Sequence, residues 1–490
     1  MLRKIEEASE RIYQVCIIGS GPAGITLAKT LATQGISVAL IEGGGLDYSE
    51  ESQDIYDGDN VGLQYWGLTG CRLRYFGGTS GHWSGRCGLL DSIDFEQREY
   101  FGMPGWPISR NELLQYLGEA RDILDLGDQS LEPHERMGWT SSLFRESGYA
   151  LSPPTRFGEK YKDDILKYQN IDLFLNTNLV DIFLDDTRER VVSVKLQRLT
   201  AENKFALSAQ RFIFALGAIE NARILLNSDG QFPRGVGNHA DFVGRCFMEH
   251  LNVPLGRFLI SNADFWHPAI EPRKVGTFPM VPTVELMRKE NIGNGIVAFD
   301  SDARPRSYGR TRALKQALRE AVCSSDRLTN LSRKAIDFDC PGDGVLSTLI
   351  EQAPNRNSRL VLSNKRDALG LRRVILDWEL NAADKRTIRT LALEAAKEMA
   401  RLDIARVQLR NFIFDEDMEI EVGGHCHHMG TTRMSANPDY GVVDSNLKVH
   451  GIDNLYIAGS SVFPAGGGTN PTLTIVLLSL RLANHLASLN

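Results

Sequence analysis

Residues 14–44 read QVCIIGSGPAGITLAKTLATQGISVALIEGG, and this stretch decides the fold. Gln14 to Ile18 is a short apolar run, as expected of a buried parallel strand. Three glycines follow at the spacing Gly19-x-Gly21-x-x-Gly24. Ile25, Leu27, Ala28 and Leu31 then give Gly24 to Thr33 the apolar face of a helix, which Gly35 ends. Val38 to Glu42 reads as a second strand. Gly19 suits the tight turn, Gly21 lets a pyrophosphate approach the backbone, and Gly24 lets helix and strand pack closely. The helix N-terminus offers free N–H groups to the phosphates. Glu42, 18 residues after Gly24, can accept both hydroxyls of an adenosine ribose. A glycine-rich structural turn is the bland alternative. Strand, helix and acidic residue together favour a dinucleotide, without separating NAD from FAD.

The opposite end carries the second informative stretch. Residues 425–434 read HCHHMGTTRM, and residues 441–486 read GVVDSNLKVHGIDNLYIAGSSVFPAGGGTNPTLTIVLLSLRLANHL. A histidine cluster, a strand ending in small residues, a Gly-rich turn and Asn470-Pro471 at the mouth of an apolar helix look like a built site. With the Gly19–Gly24 loop, they suggest a flavin held by both termini. Four potential ligands in consecutive positions (His425, Cys426, His427, His428) cannot fold back around one ion, so no metal is expected.

Between these ends the pattern is less regular. Residues 60–110 are rich in glycine and aromatics and read as loops. Residues 171–214 read as a strand meander, and residues 255–380 alternate short β-like runs with polar stretches. Asp384 to Leu402 reads as a helix, with Ile388, Leu391, Ala395 and Met399 at helical spacing. The charged stretch 301–320 reads as a solvated loop and helix, or alternatively as a mobile lid.

A chain of 490 residues is too long for one ordinary core, so two domains are expected. The net charge of −7 argues against a nucleic-acid partner. The seven cysteines form no CxxC pair, which argues against structural zinc, iron–sulfur clusters and a disulfide scaffold. The charged start lacks the apolar core of a signal peptide. The longest apolar run, Leu473 to Leu480, is far short of a membrane span of roughly 20 residues. These features predict a soluble, reduced, cytoplasmic protein.

Four blocks resemble the glucose–methanol–choline (GMC) oxidoreductases, which are FAD enzymes. They are residues 14–45, the loop Arg72 to Gly85, the segment Phe212 to Leu226, and the C-terminal 66 residues. The blocks follow the family's order. GGTSGHW, the run from Asp94-Phe95 to Gly105-Trp106-Pro107-Ile108, and HHMGTTRM resemble the sugar-oxidising subgroup of pyranose oxidases, glycoside 3-dehydrogenases and C-glycoside oxidases.

The resemblance implies an α/β fold (α+β overall). A Rossmann-like FAD-binding domain would be assembled from discontinuous segments, 1–105, 205–250 and 415–490. A substrate domain, an antiparallel sheet flanked by helices, would come from 106–204 and 251–414. It implies that His427 is the base, with Asn470 orienting the alcohol. Gly19, Gly21, Gly24, Glu42, Gly78, Thr79, Ser80, His82, Val180, Gly459, Asn470 and Thr472 would hold FAD. His82 either carries a covalent link to the flavin or hydrogen-bonds within its loop. Asn470 could also cap the helix beginning at Pro471.

Gln352, Asn355 and His428 are candidate substrate ligands. For the first two, plain turn residues are the alternative; for His428, a structural role. Trp83 and Trp106 either stack on a sugar ring or belong to the core. Met248-Glu-His250 is read only as structure or pocket wall.

The expected reaction is oxidation of a ring hydroxyl of a sugar or glycoside to the keto sugar. His427 would take the proton and the flavin the hydride, with O2 or a separate electron acceptor reoxidising it. A non-sugar alcohol, a non-redox lyase on the same scaffold and a non-catalytic flavin-binding subunit are the alternatives.

Overall fold

The computed structural model describes residues 1–9, 11–133, 140–260, 277–301 and 343–489. Its opening follows the residue pattern. Ile12–Ile18 is a strand whose last four residues are buried, Pro22–Thr33 is a helix, and Val38–Ile41 is a wholly buried strand. The two strands pair in parallel, from Val15 opposite Val38 to Ile18 opposite Ile41. Burial on both faces explains why these runs are apolar throughout rather than alternating.

An eight-stranded sheet grows from this pair. Across it run Leu2–Arg3, Ile171–Phe174, Val38–Ile41, Ile12–Ile18, Lys204–Phe214, Val191–Gln197 and Asn178–Leu184, with Leu455–Ile457 also paired to Lys204–Phe214. Lys204–Phe214 is the pivot. Its first residues run antiparallel to Val191–Gln197, whereas Ser208 to Phe214 run parallel to Ile12–Ile18. Phe212 to Phe214 also hold Leu455 to Ile457 in parallel. The sheet thereby brings the C-terminal stretch beside the N-terminal loop.

One expected boundary shifts. Residues 106–204 are expected in the second domain, yet three of their strands join the dinucleotide sheet. The meander runs from Asn178 to Phe214, while Ile171–Phe174 crosses to the far side beside Val38–Ile41. Strand alternation reports which face is buried but not which edge receives the strand, so the sequence pattern could not place these segments.

A second sheet is antiparallel throughout. Its order is Ala405–Leu409, Gly256–Ile260, Asp343–Glu351, Gly295–Ser301, Thr277–Pro282 and Phe144–Glu146. His250–Asn252 pairs with Asp343–Glu351 and with Gly423–Gly424. A helix, Ala382–Arg401, packs on this sheet and matches the expected span within two residues. Its start is set by a capping box between Asn381 and Asp384. Asp384 also accepts from the Ala353 N–H at 2.7 Å, and burial pushes its carboxyl up to about 7.

A continuous apolar core joins both sheets, including Ile17 and Leu40 of the first and Leu251 and Leu346 of the second. Beyond Ser301, the charged stretch 301–320 lies outside the described residues. Among the described residues no helix is long and apolar enough to cross a membrane.

Candidate functional site

A cavity of about 600 Å³ opens where the two termini meet. The first glycine loop forms one wall. Gly19 adopts φ +103°, and a Cβ there would lie 2.4 Å from the Ala215 carbonyl oxygen. A Cβ on Gly24 would lie 1.8 Å from the Gly19 oxygen, so Gly24 serves helix–strand packing. Gly21 differs: it lines the cavity, and nothing stands within 4 Å of where its Cβ would be. It also starts the helix without a side-chain cap, leaving first-turn N–H groups for an anion. Glu42 lines the same cavity. It accepts from Ser20 Oγ at 2.6 Å, Ser20 N at 3.1 Å and Gly44 N at 2.8 Å. An open glycine at a helix N-terminus beside a braced carboxylate fits the pyrophosphate and ribose of FAD.

The loop Arg72 to Gly85 lies against this one. A Cβ on Gly78 would sit 3.3 Å from Gly21 Cα, and one on Gly77 would sit 2.3 Å from the Gly158 N. Thr79 Oγ1 accepts from the Leu73 N–H, and Ser80 Oγ donates to the Gly77 carbonyl. Both hydroxyls therefore shape the loop while their residues line the cavity. His82 also lines it, and burial holds its pKa below the ordinary value. Among the described residues its ring has no hydrogen-bond partner, so the loop-bracing alternative is not what the structure shows.

Val180 is not on the wall. It packs behind Ile55 and Leu369, which are, while Asn178 and Leu179 line the cavity. The expectation came from the resemblance, and Ile55 and Leu369 stand between this side chain and the cavity. Arg74 and Glu220, which the sequence reading missed, also line this part, and Glu220 pairs with Arg72 at 2.8 Å.

The other wall holds His425 to His428, Gly459, Asn470 and Thr472. Gly459 adopts φ +104° with open space at its Cβ. His427 Nε2 lies 3.1 Å from Asn470 Nδ2, 43 residues away. Asn470 does not cap the following helix, Thr472–Ala487, whose N-cap is Pro471 with no side-chain cap. Its amide faces the histidine instead. Burial first, then the charges of His250, His425 and His428, hold the His427 pKa well below the ordinary value.

The histidine loop is shaped by Glu249, which the sequence places only as structure or pocket wall. Its buried Oε2 accepts the backbone N–H groups of His250, His425 and His427 at 3.0, 3.2 and 2.9 Å. Burial raises its pKa. Cys426, between two of these donors, adopts φ +60°, which turns both N–H groups toward one carboxylate. His428 Nε2 lies 2.8 Å from the Tyr65 hydroxyl, so His428 is braced while also lining the cavity. A signal for Glu249 and His250 did exist: a polar pair inside the apolar run Cys246 to Leu251 needs buried partners.

Two substrate candidates do not reach the cavity. Gln352 is fully buried; its oxygen accepts from Glu249 N and Trp378 Nε1, and its amide donates to the Glu379 carbonyl. Asn355 closes a local turn by accepting from Asn357 N. The segment's Glu351 matters instead: it is buried and bound bidentately by Arg98, with both contacts at 2.7 Å. Trp106 is core, between Phe95 and Phe463, whereas Trp83 lines the cavity and donates to the Thr155 carbonyl.

Comparison with known proteins agrees with this geometry. Residues 354–479 match the family described as GMC oxidoreductase, and residues 12–51 match an FAD binding domain. A 6'''-hydroxyparomomycin C oxidase of Streptomyces lividus is 24% identical over 98% of this chain and 93% of its own. A C-glycoside 3-oxidase of Microbacterium trichothecenolyticum is 32% identical over 25% of this chain and 22% of its own. The solved structure of a fungal aryl-alcohol oxidase shares the fold, with a TM-score of 0.63 at 14% identity, covering 97% of this chain and 99% of its own. With an FAD-binding match over the dinucleotide cradle at one end of the cavity, the C-terminal part of the chain at the other end is that of a GMC oxidoreductase, and its relatives are oxidases.

Proposed function

We propose that this protein oxidises a hydroxyl of a sugar or glycoside to the carbonyl, with His427 taking the hydroxyl proton and Asn470 orienting the alcohol. The observation that carries this reading is the 3.1 Å contact between these two side chains on the wall of the FAD cavity. FAD, when bound, supplies the acceptor for the hydride from carbon. The proton is the chain's task. A His427 pKa held low leaves the imidazole neutral at neutral pH, with a lone pair to receive that proton. A hydroxyl entering between the two groups would donate to the imidazole and accept from the Asn470 amide, satisfying both. The same amide would stabilise negative charge developing on the oxygen. The antiparallel sheet is read as the substrate side, because His250 and Thr348, on its strands, hold the histidine cluster.

The relatives' names support sugar-type substrates and differ on position. The C-glycoside 3-oxidase favours a ring hydroxyl. The 6'''-hydroxyparomomycin C oxidase, similar along nearly the whole chain, favours an exocyclic hydroxyl at a sixth carbon. Anaerobic titration of the flavoprotein with methyl glycosides, their 3-deoxy and 6-deoxy forms, and simple alcohols separates these readings. Flavin bleaching by a glycoside and its 6-deoxy form, but not its 3-deoxy form, supports the ring position. The reverse supports the exocyclic one. Bleaching by simple alcohols alone overturns the sugar reading, and bleaching by none returns the lyase alternative.

A further inference from the structure

His250 is fully buried behind the catalytic pair and has no part in the proton transfer just described. Its ring stands at 88° to that of His427, with centroids 5.0 Å apart and the two Nδ1 atoms at 2.8 Å. Its Nε2 lies 2.8 Å from the Gly467 carbonyl oxygen. We propose that His250 is a positioning residue that keeps the His427 proton on Nδ1, so that the Nε2 lone pair faces Asn470 and the cavity. The inference rests on the proposed role of His427 and adds how the ring is held ready for it.

The argument is one of hydrogen-bond polarity. A carbonyl oxygen only accepts, so His250 Nε2 carries the proton in its contact with Gly467. Burial lowers the His250 pKa to about 4, so the ring is neutral and has one proton. Its Nδ1 is then a lone pair. The contact between the two Nδ1 atoms needs one donor, and His427 supplies it. A neutral His427 therefore has no proton on Nε2. The far end of the relay agrees independently: an amide nitrogen only donates, and Asn470 Nδ2 faces that same Nε2. A carbonyl at one end and an amide nitrogen at the other thus set one direction for the whole relay. His425 stays out of it, because its Nε2 is held by the Thr348 carbonyl at 2.8 Å.

The carbonyl that sets the polarity is itself held. Gly467 N donates to Glu351 Oε1 at 3.0 Å, and Arg98 grips the same carboxylate. Gly466 to Gly468 also pack too closely for side chains. A Cβ on Gly467 would meet Leu90 at 2.4 Å, and one on Gly466 would meet Met429 at 2.9 Å.

Two variants separate proton placement from loop bracing. In His250→Asn, the amide oxygen falls where Nδ1 sits and can still accept from His427. In His250→Gln, the amide reaches where Nε2 sits and can still donate to Gly467, but leaves no acceptor at the Nδ1 position. The readouts are nitrogen NMR shifts of ¹⁵N-histidine-labelled protein and the rate of flavin reduction at saturating substrate.

The Asn variant is expected to keep the shift pattern of an Nδ1-protonated His427. The Gln variant is expected to lose that pattern, and its reduction rate to fall by about ten-fold or more, since a misplaced tautomer disables a general base. The reverse ranking, with Gln native-like and Asn impaired, would mean that His250 only braces the loop and would overturn the proposal. A native shift pattern in both variants would overturn it equally. A lost pattern in the Gln variant with an unchanged reduction rate would uphold the tautomer assignment and remove His427 from its role as base.

Discussion

The two glycine-rich turns of this protein have similar composition and do opposite work. In Gly19 to Gly24, the glycine that matters for binding, Gly21, opens onto empty space. In Ala465 to Asn470, Gly466, Gly467 and Gly468 are pressed against Met429, Leu90 with Asp94, and Asn294. The first turn makes room for a ligand. The second wedges backbone against a buried charged cluster and carries a carbonyl to His250. Glycine in one case removes a side chain that a cofactor would meet, and in the other a side chain that the protein itself would meet.

The sharpest division between binding and chemistry comes from His427→Ala. The protein is expected to remain yellow while flavin reduction by substrate falls by about 10²–10⁴, the usual worth of a general base. Rapid-mixing absorbance of the anaerobic variant checks this, and near-native reduction would remove His427 from its role.

The two turns themselves are compared by Gly467→Ala and Gly21→Ala. Gly467 adopts φ +63°, and its Cβ would lie 2.6 Å from Asp94 Oδ2, so the alanine variant should lose about 1–3 kcal/mol of stability. Gly21→Ala meets no protein atom, so its apoprotein should melt within about 1 kcal/mol of the parent while FAD occupancy falls. Equal melting of the two apoproteins would end the contrast.

Glu42→Ala should lower FAD occupancy more than it alters the reduction rate of the loaded fraction. Flavin-to-protein absorbance ratios after gel filtration test this, and normal occupancy would remove the ribose assignment.

The smallest effect is expected from acid. An ordinary histidine, with a pKa near 6.5, would keep about a tenth of its neutral form at pH 5.5. The His427 pKa is held well below 6.5, so its base form survives through that range. Flavin reduction should therefore stay nearly flat from pH 8 to 5.5, and a fall centred near pH 6.5 would contradict the buried, neutral ring. The groups facing His427 are His250, His425 and His428, with Glu249 on its backbone N–H.

How much was legible depended on the range of each interaction. The opening strand, glycine loop and helix follow from side-chain spacing and backbone sterics over 30 residues, and they fold as read. The His427–Asn470 pair was reached through the family resemblance, and the sheet brings its members together. Val180, Gln352 and Asn355 are expected at the cavity and stand off it. A covering apolar cluster in one case, and a buried amide and a local turn in the others, hold those side chains elsewhere. Asn470 before Pro471 has the pattern of a helix cap, yet its amide turns to a histidine 43 positions away.

By itself, then, the sequence determined the elements whose physics is local: a βαβ opening built for a dinucleotide, and a histidine motif near an Asn-Pro helix start. Only the tertiary structure decided what faces what. Glu249 gathers three N–H groups of the histidine loop and its own neighbour, and His250 meets His427 across 177 residues. The reason is that a buried polar group must find a partner, and which partner it finds is fixed by the packing of distant strands. No spacing along the chain encodes that choice.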